Sequence, residues 1–481
     1  MIEFILNDKT IRSDAPAGMA MLDFIRKRRQ LTGMKLVCKE GECGACSVLV
    51  GSYQNGELIY QSMTSCIMPL VNAHGKHILT VEGLSERDEL SPVQQAMVDE
   101  NGTQCGFCTP GFVVSMTGAL LTGRAADRDA ILEAIDGNIC RCTGYKSIER
   151  AVDSLVKKVA ETGQPNSVQA LTEAGFLPAY MKELASRLKA LQDKLAETQS
   201  RHSPQSQRAS NGIPLGGGTD LYVQKPLKMY QAEIQPMFNR PEMNTVKVEN
   251  GKCIFGASCT MGDLYYSKEF QKALPHSEYL FRLLSSTQIR NMATIGGNLV
   301  NASPIGDFTI LLLGLNSEIT LRGKNSSRNI LLRDFYKDYK VMDLKEGEHL
   351  ESIQFNIPKS SQKFHFEKVS QRRYLDIAGV NSASMIELDS DNRIVDVHLS
   401  AGGVGPIPMY LFKTCEFLTG KMLEESTIDA ACAILQNEIS PISDARGTAE
   451  YKSLLLRQLF IAHFIEIDAN IFRIEKLIVS C

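Results

Sequence analysis

Apolar and polar positions alternate in several short stretches near the start of the chain, and this pattern predicts a small sheet. "MIEFILND" and "KTIRS" have the period of two that is typical of a β-hairpin, and "CSVLVG" and "GELIYQS" have the same period further on. Between these two pairs, "AMLDFIRKRR" has the spacing of a short helix. We therefore expect a β-rich domain over residues 1–84, with a loop that covers its sheet.

The apolar pattern then changes to a helical period. Four segments have it: "SPVQQAMVDE", "GFVVSMTGALLTG", "DRDAILEAID" and "SIERAVDSLVKKVAE". Ser91 is a typical N-cap and Pro92 suits the first helical position. In the last segment Val152, Leu155 and Val156 share one face. We expect a four-helix domain over residues 85–160, followed by a linker over 161–174.

Mixed helical and strand patterns occupy the rest of the chain. "FLPAYMKELASRLKALQDKLAE" places Leu184, Leu188, Leu191 and Leu195 on one face, and its length favours a packed surface helix over a coiled coil. We expect one domain over residues 175–360, another over 361–470 and a tail over 471–481. Together these elements predict an α+β multidomain protein.

Composition and charge narrow the function. A length of 481 residues suffices for about three domains, and a net charge of −3 gives no broad basic face for nucleic acid or an anionic membrane. We find neither an export signal nor an apolar run of about 18 residues, so we expect a cytoplasmic protein without a membrane span. Thirteen cysteines in such a chain favour metal or redox chemistry over disulfides.

A first set of cysteines lies close together in "CKEGECGAC". Cys38, Cys43 and Cys46 have the spacing C-x4-C-x2-C, and Cys66 follows at a distance. This spacing is typical of the plant-type ferredoxins, whose four thiolates hold a two-iron, two-sulfur cluster. The glycines between these cysteines permit a tight loop whose backbone N–H groups can point at the sulfur atoms. Zinc and an unstructured thiol-rich loop are the alternatives, although structural zinc sites usually pair cysteines as C-x2-C.

A second set combines "QCGFCTPGF" with "NICRCTGY". It consists of Cys105 and Cys108, two residues apart, and of Cys140 and Cys142, one residue apart. Each pair precedes a predicted helix, whose N-terminus stabilises thiolates and an anionic cluster. Taken alone, this set is also compatible with zinc.

Two glycine-rich segments follow. "IPLGGGTDLYV" predicts a strand, a glycine loop and another strand, and successive glycines let backbone N–H groups approach a diphosphate. Because no helix is predicted after it, a Rossmann site is not expected, and an ordinary hairpin turn is the alternative. The segment 286–307, "STQIRNMATIGGNLVNASPIGD", has a second double glycine and many small polar side chains that suit phosphate and ribose.

These motifs, in this order, resemble the iron-sulfur half of the molybdenum hydroxylases, and within that family the small subunit of bacterial xanthine dehydrogenases. The resemblance covers nearly the whole chain. It implies a β-grasp plant-type ferredoxin domain, a four-helix 2Fe-2S domain, a vanillyl-alcohol-oxidase-like FAD domain and a C-terminal α+β flavoprotein domain. It also implies that the second set of cysteines holds a second 2Fe-2S cluster, which makes zinc the weaker alternative there.

The same resemblance implies where FAD binds and which residue faces the molybdenum cofactor. Matched to the family's motifs, the FAD-binding positions are Leu215, Gly216, Gly217, Gly218, Thr219, Asp220, Leu221, Leu284, Thr294, Gly297, Asn298, Ser303, Asp307, Asp376, Ile377 and Lys413. Gln104, directly before Cys105, is at the position that reaches toward the pterin of the molybdenum cofactor.

The function implied is electron transfer. Electrons would pass from a molybdopterin cofactor on a separate large subunit, through two 2Fe-2S clusters, to FAD and then to NAD. A dimer of heterodimers is the expected assembly. Three alternatives remain: a partner subunit that oxidises an aldehyde or another N-heterocycle, a stand-alone NADH diaphorase, and a zinc-stabilised scaffold without a redox role.

Overall fold

The computed structural model of the chain describes residues 1–86, 89–123, 127–163, 165–201 and 212–469. The chain divides into two units, of which the first is Met1–Phe238 with Ser286–Ala293 and the second is Asn239–Ser285 with Thr294–Cys481. The predicted tail, with Cys481, lies outside the described residues. Within the described ranges, no helix is long and apolar enough to cross a membrane.

The strands are numbered in chain order. They are β1 (Ile2–Leu6), β2 (Lys9–Ser13), β3 (Ser47–Gln54), β4 (Glu57–Thr64), β5 (His77–Leu79), β6 (Ile213–Leu215), β7 (Ile234–Pro236), β8 (Val246–Glu249), β9 (Lys252–Gly256), β10 (Glu318–Arg322), β11 (Ser327–Leu331), β12 (Tyr336–Asp338), β13 (Val341–Met342), β14 (His349–Asn356), β15 (Gln362–Val369), β16 (Val380–Leu388), β17 (Ile394–Gly402) and β18 (Met409–Tyr410).

The α-helices are numbered in the same way. They are α1 (Met21–Asp23), α2 (Pro92–Asp99), α3 (Thr109–Leu120), α4 (Arg128–Ala134), α5 (Lys146–Glu161), α6 (Val168–Glu173), α7 (Leu184–Arg201), α8 (Leu221–Gln224), α9 (Pro226–Gln231), α10 (Met261–Tyr266), α11 (Lys268–Ala273), α12 (Ser277–Leu283), α13 (Thr287–Arg290), α14 (Ile295–Asn301), α15 (Asp307–Gly314), α16 (Phe412–Leu418), α17 (Glu425–Glu438) and α18 (Ala449–Ile467). A π-helical turn, Phe24–Arg28, follows α1, and short 3-10 helices cover Leu70–Ala73, Val81–Gly83, Ala179–Glu183, Pro241–Met243 and Leu332–Asp334.

The N-terminal sheet has the strand order β2-β1-β5-β3-β4. β1 pairs with β2 and β3 with β4 as antiparallel hairpins, whereas β5 runs parallel to β1. The second hairpin turns at Asn55 and Gly56, which both have positive φ (52° and 91°), as this Asn-Gly turn requires. The predicted hairpin and the two later strands are thereby confirmed, and the predicted short helix is formed by α1 and the π-helical turn after it.

The four predicted helices of the next domain are α2 to α5. Helix α2 begins with a capping box, in which the Ser91 side chain accepts from Gln94 N–H at 3.3 Å and Ser91 N–H donates to the Gln94 side chain at 2.8 Å. Helix α3 is buried from Gly111 to Leu120, and α5 buries Val152 and Leu155. The domain's hydrophobic core therefore lies between these helices.

The segment predicted as a linker contains a helix of its own. Ser167 caps α6 by accepting from Ala170 N–H at 3.1 Å, and Leu171 is completely buried in the core of the helical domain. Leu184, Leu188 and Leu191 of α7 are buried in the same core, which confirms the packed-helix prediction. These two helices therefore extend the first unit beyond the predicted end of the helical domain.

The glycine-rich segment departs from its prediction. β6 pairs in parallel with β7 as expected for a strand, but "LYVQ" after the glycines forms the helical turn α8 rather than a strand. Tyr222 explains why a helical turn forms instead of a strand. Its side chain is buried, and its hydroxyl donates to Gly18 O at 2.7 Å. A short apolar run does not distinguish a strand from a buried helical turn, and this tertiary contact decides between them.

The second unit contains two main sheets. One has the order β11-β10-β14-β9-β8 and the other β15-β16-β17-β18. Helix α15 packs closely on the second sheet, because a Cβ atom at Gly314 would lie 2.6 Å from that of Ala383. Helices and strands in both units confirm the predicted α+β multidomain class.

Candidate iron-sulfur and flavin sites

The first set of cysteines lies at one end of the N-terminal sheet. Cys38, Cys43 and Cys46 are in the loop before β3, and Cys66 follows β4. The sulfur atoms of Cys38 and Cys43 are 3.3 Å apart, and Glu40 N–H donates to the Cys38 sulfur at 3.4 Å. Gly41 and Gly44 have φ values of +78° and +65°, so the loop uses the left-handed backbone that glycine permits.

Sulfur crowding sets the electrostatics of this loop. The pKa of Cys38 is lowered, chiefly by hydrogen bonds with Cys43 and Cys66, and that of Cys46 is lowered chiefly by Cys66. The pKa values of Cys43 and Cys66 are raised, first by their hydrogen bonds to the other thiols and then by burial. Crowding therefore favours the thiolate at Cys38 and Cys46, and a cation among the sulfur atoms would favour it at all four positions.

The second set of cysteines lies at the beginnings of two helices. Cys108 is the N-cap of α3, and Cys140 and Cys142 lie shortly before α5. The sulfur atoms of Cys105 and Cys142 are 3.6 Å apart. Cys105 and Cys142 are exposed whereas Cys140 is buried, so one side of this set faces outward in the isolated chain.

Thr143 is a contact of the second set that the sequence did not reveal. Its hydroxyl and its backbone N–H both donate to the Cys140 sulfur, at 3.1 and 3.5 Å, and Cys142 N–H donates to the same sulfur at 3.4 Å. Burial acts to raise the pKa of Cys140, but these hydrogen bonds outweigh it and the pKa is lowered. Burial raises the pKa of Cys108 to about 12. The donors therefore favour the thiolate at Cys140.

Each set of cysteines brings two sulfur atoms close together, at 3.3 Å in the first set and at 3.6 Å in the second. A 2Fe-2S cluster takes two thiolates on each iron, whereas a structural zinc ion takes four ligands around one point. All-cysteine donors with backbone N–H contacts suit an iron-sulfur cluster in both sets.

Gln104 is exposed and lies beside the outward side of the second set. Phe107 and Tyr145 are large hydrophobic residues that are also exposed there, at 48% and 39%. The structure therefore leaves Gln104 accessible, and its predicted role at an interface remains a prediction.

The predicted FAD residues are divided between the two units, and Leu215 to Leu221 belong to the first. Gly216, Gly217 and Gly218 connect β6 to α8. A Cβ atom at Gly217 would lie 1.8 Å from Met292 O, and Gly218 has a φ of +90°. Only glycine fits at positions 217 and 218, and the bare backbone there suits close approach to a diphosphate.

In the second unit, several predicted FAD residues lie on or after α14. The Thr294 side chain caps this helix by accepting from Gly297 N–H at 3.2 Å, and Gly297 is exposed. The Asn298 side chain accepts from the Thr309 hydroxyl at 3.1 Å, and Ser303 is half-buried. Among these predicted residues, Thr294 therefore caps helix α14, and Gly297 has an exposed backbone.

Asp307 is part-buried and forms an ion pair that the sequence did not predict. Lys368 Nζ donates to Asp307 at 2.8 Å and to Leu283 O at 2.8 Å, and the Asn381 amide also donates to Asp307. Burial raises the pKa of Asp307, while Lys368 acts against that shift. Lys368 thus joins Asp307 to the residue before Leu284, another predicted FAD position.

The remaining predicted FAD residues lie further along the second unit. Asp376 accepts from Arg372 N–H at 3.1 Å and pairs with its guanidinium at 3.3 Å, so Arg372 has a contact that the sequence did not suggest. Ile377 is 52% exposed. Lys413 is exposed in the first turn of α16, and its backbone N–H donates to Glu438 at 2.9 Å.

Four protein-family models match the chain in consecutive segments. They are a 2Fe-2S iron-sulfur cluster binding domain over residues 4–71, a [2Fe-2S] binding domain over 80–153, an FAD binding domain in molybdopterin dehydrogenase over 184–360, and a CO dehydrogenase flavoprotein C-terminal domain over 365–467.

Curated relatives match over nearly the whole chain. Xanthine dehydrogenase 1 of Arabidopsis thaliana is 28% identical over 96% of this chain and 39% of its own length. Xanthine dehydrogenase/oxidase of Gallus gallus is 27% identical over 97% of this chain and 40% of its own length. Aldehyde oxidase 4 of Rattus norvegicus is 29% identical over 97% of this chain and 39% of its own length. The chain therefore spans about two fifths of the length of these relatives.

Solved structures with similar folds include carbon monoxide dehydrogenase from Hydrogenophaga pseudoflava, which is 25% identical with a TM-score of 0.49 over 53% of this chain and 88% of that chain. Quinoline 2-oxidoreductase from Pseudomonas putida 86 is 21% identical with a TM-score of 0.48, over 53% of this chain and 88% of that chain. From the consecutive domain matches and the curated relatives together, we conclude that the chain is homologous to the iron-sulfur and FAD-binding part of the xanthine dehydrogenases.

Proposed function

We propose that this chain is the electron-transfer subunit of a xanthine dehydrogenase. Electrons would pass from a molybdopterin cofactor on a partner subunit, through two 2Fe-2S clusters, to FAD and then to NAD. The observation that carries the proposal is that two sets of four cysteines, with sulfur pairs at 3.3 and 3.6 Å, occur in one unit with a glycine loop. This combination suits a relay of cofactors rather than a single metal site.

When bound, the two clusters would transfer single electrons and the flavin would combine them into pairs. The chain's own residues would set the environment. Backbone N–H groups of Glu40 and Cys142, with the Thr143 hydroxyl, donate to sulfur atoms and would disperse negative charge there. We assign cluster 1 to Cys38, Cys43, Cys46 and Cys66, and cluster 2 to Cys105, Cys108, Cys140 and Cys142.

The exposure of the cysteines supports an order for the relay. Cys105, Cys142 and Gln104 are exposed, so we assign cluster 2 to the side that receives electrons from the partner. The glycine loop packs against the residue that follows Cys66, because a Cβ atom at Gly218 would lie 2.7 Å from Ile67 O. We therefore assign cluster 1 to the side that delivers electrons to FAD.

We further propose NAD as the final acceptor and a dimer of heterodimers as the assembly. An aldehyde or another N-heterocycle is the alternative substrate, and the similarity to aldehyde oxidase 4 supports keeping it. Purification with the partner chain, followed by assays with xanthine, an aldehyde and NADH, would separate these cases. A chain that purifies without any molybdenum-containing partner would favour a diaphorase instead.

Iron analysis and paramagnetic resonance test the cluster assignment. We expect about four irons per chain and two distinguishable signals on reduction. Cys43→Ser should remove one signal and Cys105→Ser the other. Cys259→Ser is the matched control, because Cys259 is buried outside both sets and its thiol donates to Thr245 O at 3.5 Å. A colourless protein with stoichiometric zinc would contradict the proposal.

A further inference from the structure

The glycine loop that would bind FAD shares a hydrophobic core with the N-terminal ferredoxin domain. Leu215 before the loop and Tyr222 after it are buried in the same cluster as Ile67, Met68 and Leu70. Ile67 directly follows the ligand Cys66. The loop is therefore built partly on the ferredoxin domain, although it is distant from that domain in sequence.

One side chain of the ferredoxin domain holds the loop directly. Asn72 lies in the 3-10 turn Leu70–Ala73 and is only 5% exposed. Its amide nitrogen donates to Gly216 O at 3.0 Å. Because Gly216 carries no side chain, its backbone orientation depends on such contacts, and a fixed carbonyl orients the peptide unit next to it.

Asn72 also has a buried oxygen without a partner. Its Oδ1 atom makes no hydrogen bond within the described residues, and an unpaired buried acceptor costs free energy. A residue that only filled space here would be better replaced by an apolar side chain. An amide at this position therefore fits a role that needs its donor, namely fixing the Gly216 carbonyl.

We propose that Asn72 is a positioning residue for FAD: the ferredoxin domain, through this amide, holds the glycine loop in the conformation that binds the diphosphate. The inference rests on the proposed function, since it requires that the loop binds FAD. It adds a residue that lies outside both the matched ferredoxin segment, 4–71, and the matched FAD-binding segment, 184–360.

The test is FAD binding to the full chain, measured by flavin fluorescence as FAD is titrated back into deflavinated protein. Loss of one hydrogen bond predicts that Asn72→Ala weakens FAD binding by about two- to tenfold. Gln192→Ala is the matched control, because Gln192 donates the same kind of amide hydrogen bond, to Gly75 O at 3.2 Å, away from the loop. Equal FAD affinities for the two variants would overturn the inference, whereas wild-type protein that binds no FAD would overturn the proposed function.

A second variant separates positioning from general loss of structure. Asn72→Asp places a carboxylate oxygen against Gly216 O, and only the protonated carboxyl can donate to that carbonyl. Relative to wild type, its FAD affinity should therefore improve as the pH falls from about 8 to about 5.5, toward the range where carboxyl groups protonate. If the ratio of the FAD affinity of Asn72→Asp to that of wild type stayed constant with pH, the role of Asn72 as a donor would be contradicted.

Discussion

His463 is fully buried between α18 and the second sheet, beside two specific partners. Its Nδ1 atom shares a hydrogen bond with Nδ1 of His365 at 2.9 Å, and its Nε2 atom is 2.9 Å from the Ser382 hydroxyl. Burial, and then the proximity of His365, hold the pKa of His463 well below its usual value of 6.5. The folded protein therefore keeps this imidazole neutral where an unfolded chain would protonate it.

The lowered pKa of His463 predicts that the folded protein loses stability in acid. The unfolded chain binds the extra proton below about pH 6.5, so the stabilising contribution is complete above that pH and is lost as the pH falls. For one such group, the free energy of unfolding changes by at most about 1.4 kcal/mol per pH unit. His463→Gln should reduce the pH dependence of the urea midpoint, followed by circular dichroism, whereas the exposed His276→Gln should not. Identical pH dependence in wild type and His463→Gln would contradict the argument.

Gly217 gives a steric prediction at the same scale. Its neighbour is the carbonyl of Met292 rather than a flexible side chain, so a side chain at this position must displace backbone. Gly217→Val should therefore distort the loop and lose most of the bound FAD, while both cluster signals remain. FAD released on heating is the measurement, and Pro214→Val, on an exposed position of β6, is the control. Full FAD content in Gly217→Val would show that the loop does not hold the diphosphate.

At the scale of elements, the short helix α13 is held to α4 by a buried ion pair. Arg290 and Glu133 are 2.8 Å apart, with side chains only 2% and 9% exposed, and Arg290 also donates to Thr287 at 2.9 Å. In the same segment, the Gln288 amide donates to Ser115 and Ala134 at 2.9 Å. These contacts explain why Ser286–Ala293 belongs to the first unit although the flanking chain belongs to the second.

Breaking this pair should be costly. Removing one partner of a buried ion pair leaves an uncompensated charge and costs about 3–5 kcal/mol, whereas replacing both by apolar groups is often close to neutral. Arg290→Met should thus lower the free energy of unfolding strongly, and Arg290→Met/Glu133→Leu should recover only part of the loss, because the Asp136 carboxylate, 3.9 Å from Arg290, still loses its cation. Urea unfolding of both variants decides. A double variant no better than Arg290→Met would show that the pair itself is not the source of the stability.

The elements also show what the sequence could and could not predict. Local signals sufficed for the hairpin of β1 and β2 and for the Ser91 cap, because each depends on neighbouring residues. They did not suffice for α8, whose conformation depends on Tyr222 reaching Gly18, more than two hundred residues earlier. The partners of Asp307, Lys368 and Asn381, were missed for the same reason. Cysteine spacing identified the candidate ligands, whereas the donors around them required the fold.

At the scale of the whole molecule, the proposed relay has one end at the outward side of the second cysteine set. Gln104, Cys105 and Cys142 are all exposed there, with the apolar rings of Phe107 and Tyr145. Exposed large apolar groups beside polar ones are typical of a surface that binds a partner. We therefore expect electron entry from the partner subunit to depend on this surface, and electron exit to NAD to be independent of it.

Gln104→Ala separates the two ends of the relay. Removal of an amide that is buried at an interface leaves its hydrogen-bonding group on the other subunit unpaired, which costs about 1–3 kcal/mol. The junction between the two subunits should therefore be weakened. Reduction of the flavin by a purine should become slower in the reconstituted complex, whereas NADH-driven reduction of a dye should be unchanged because it needs only FAD. Rapid-mixing kinetics measure both rates. Gln95→Ala, at an exposed position on α2 of the same domain, is the control and should change neither rate. Equal loss of both activities in Gln104→Ala would indicate a folding defect, and full retention of both would place Gln104 away from the electron path.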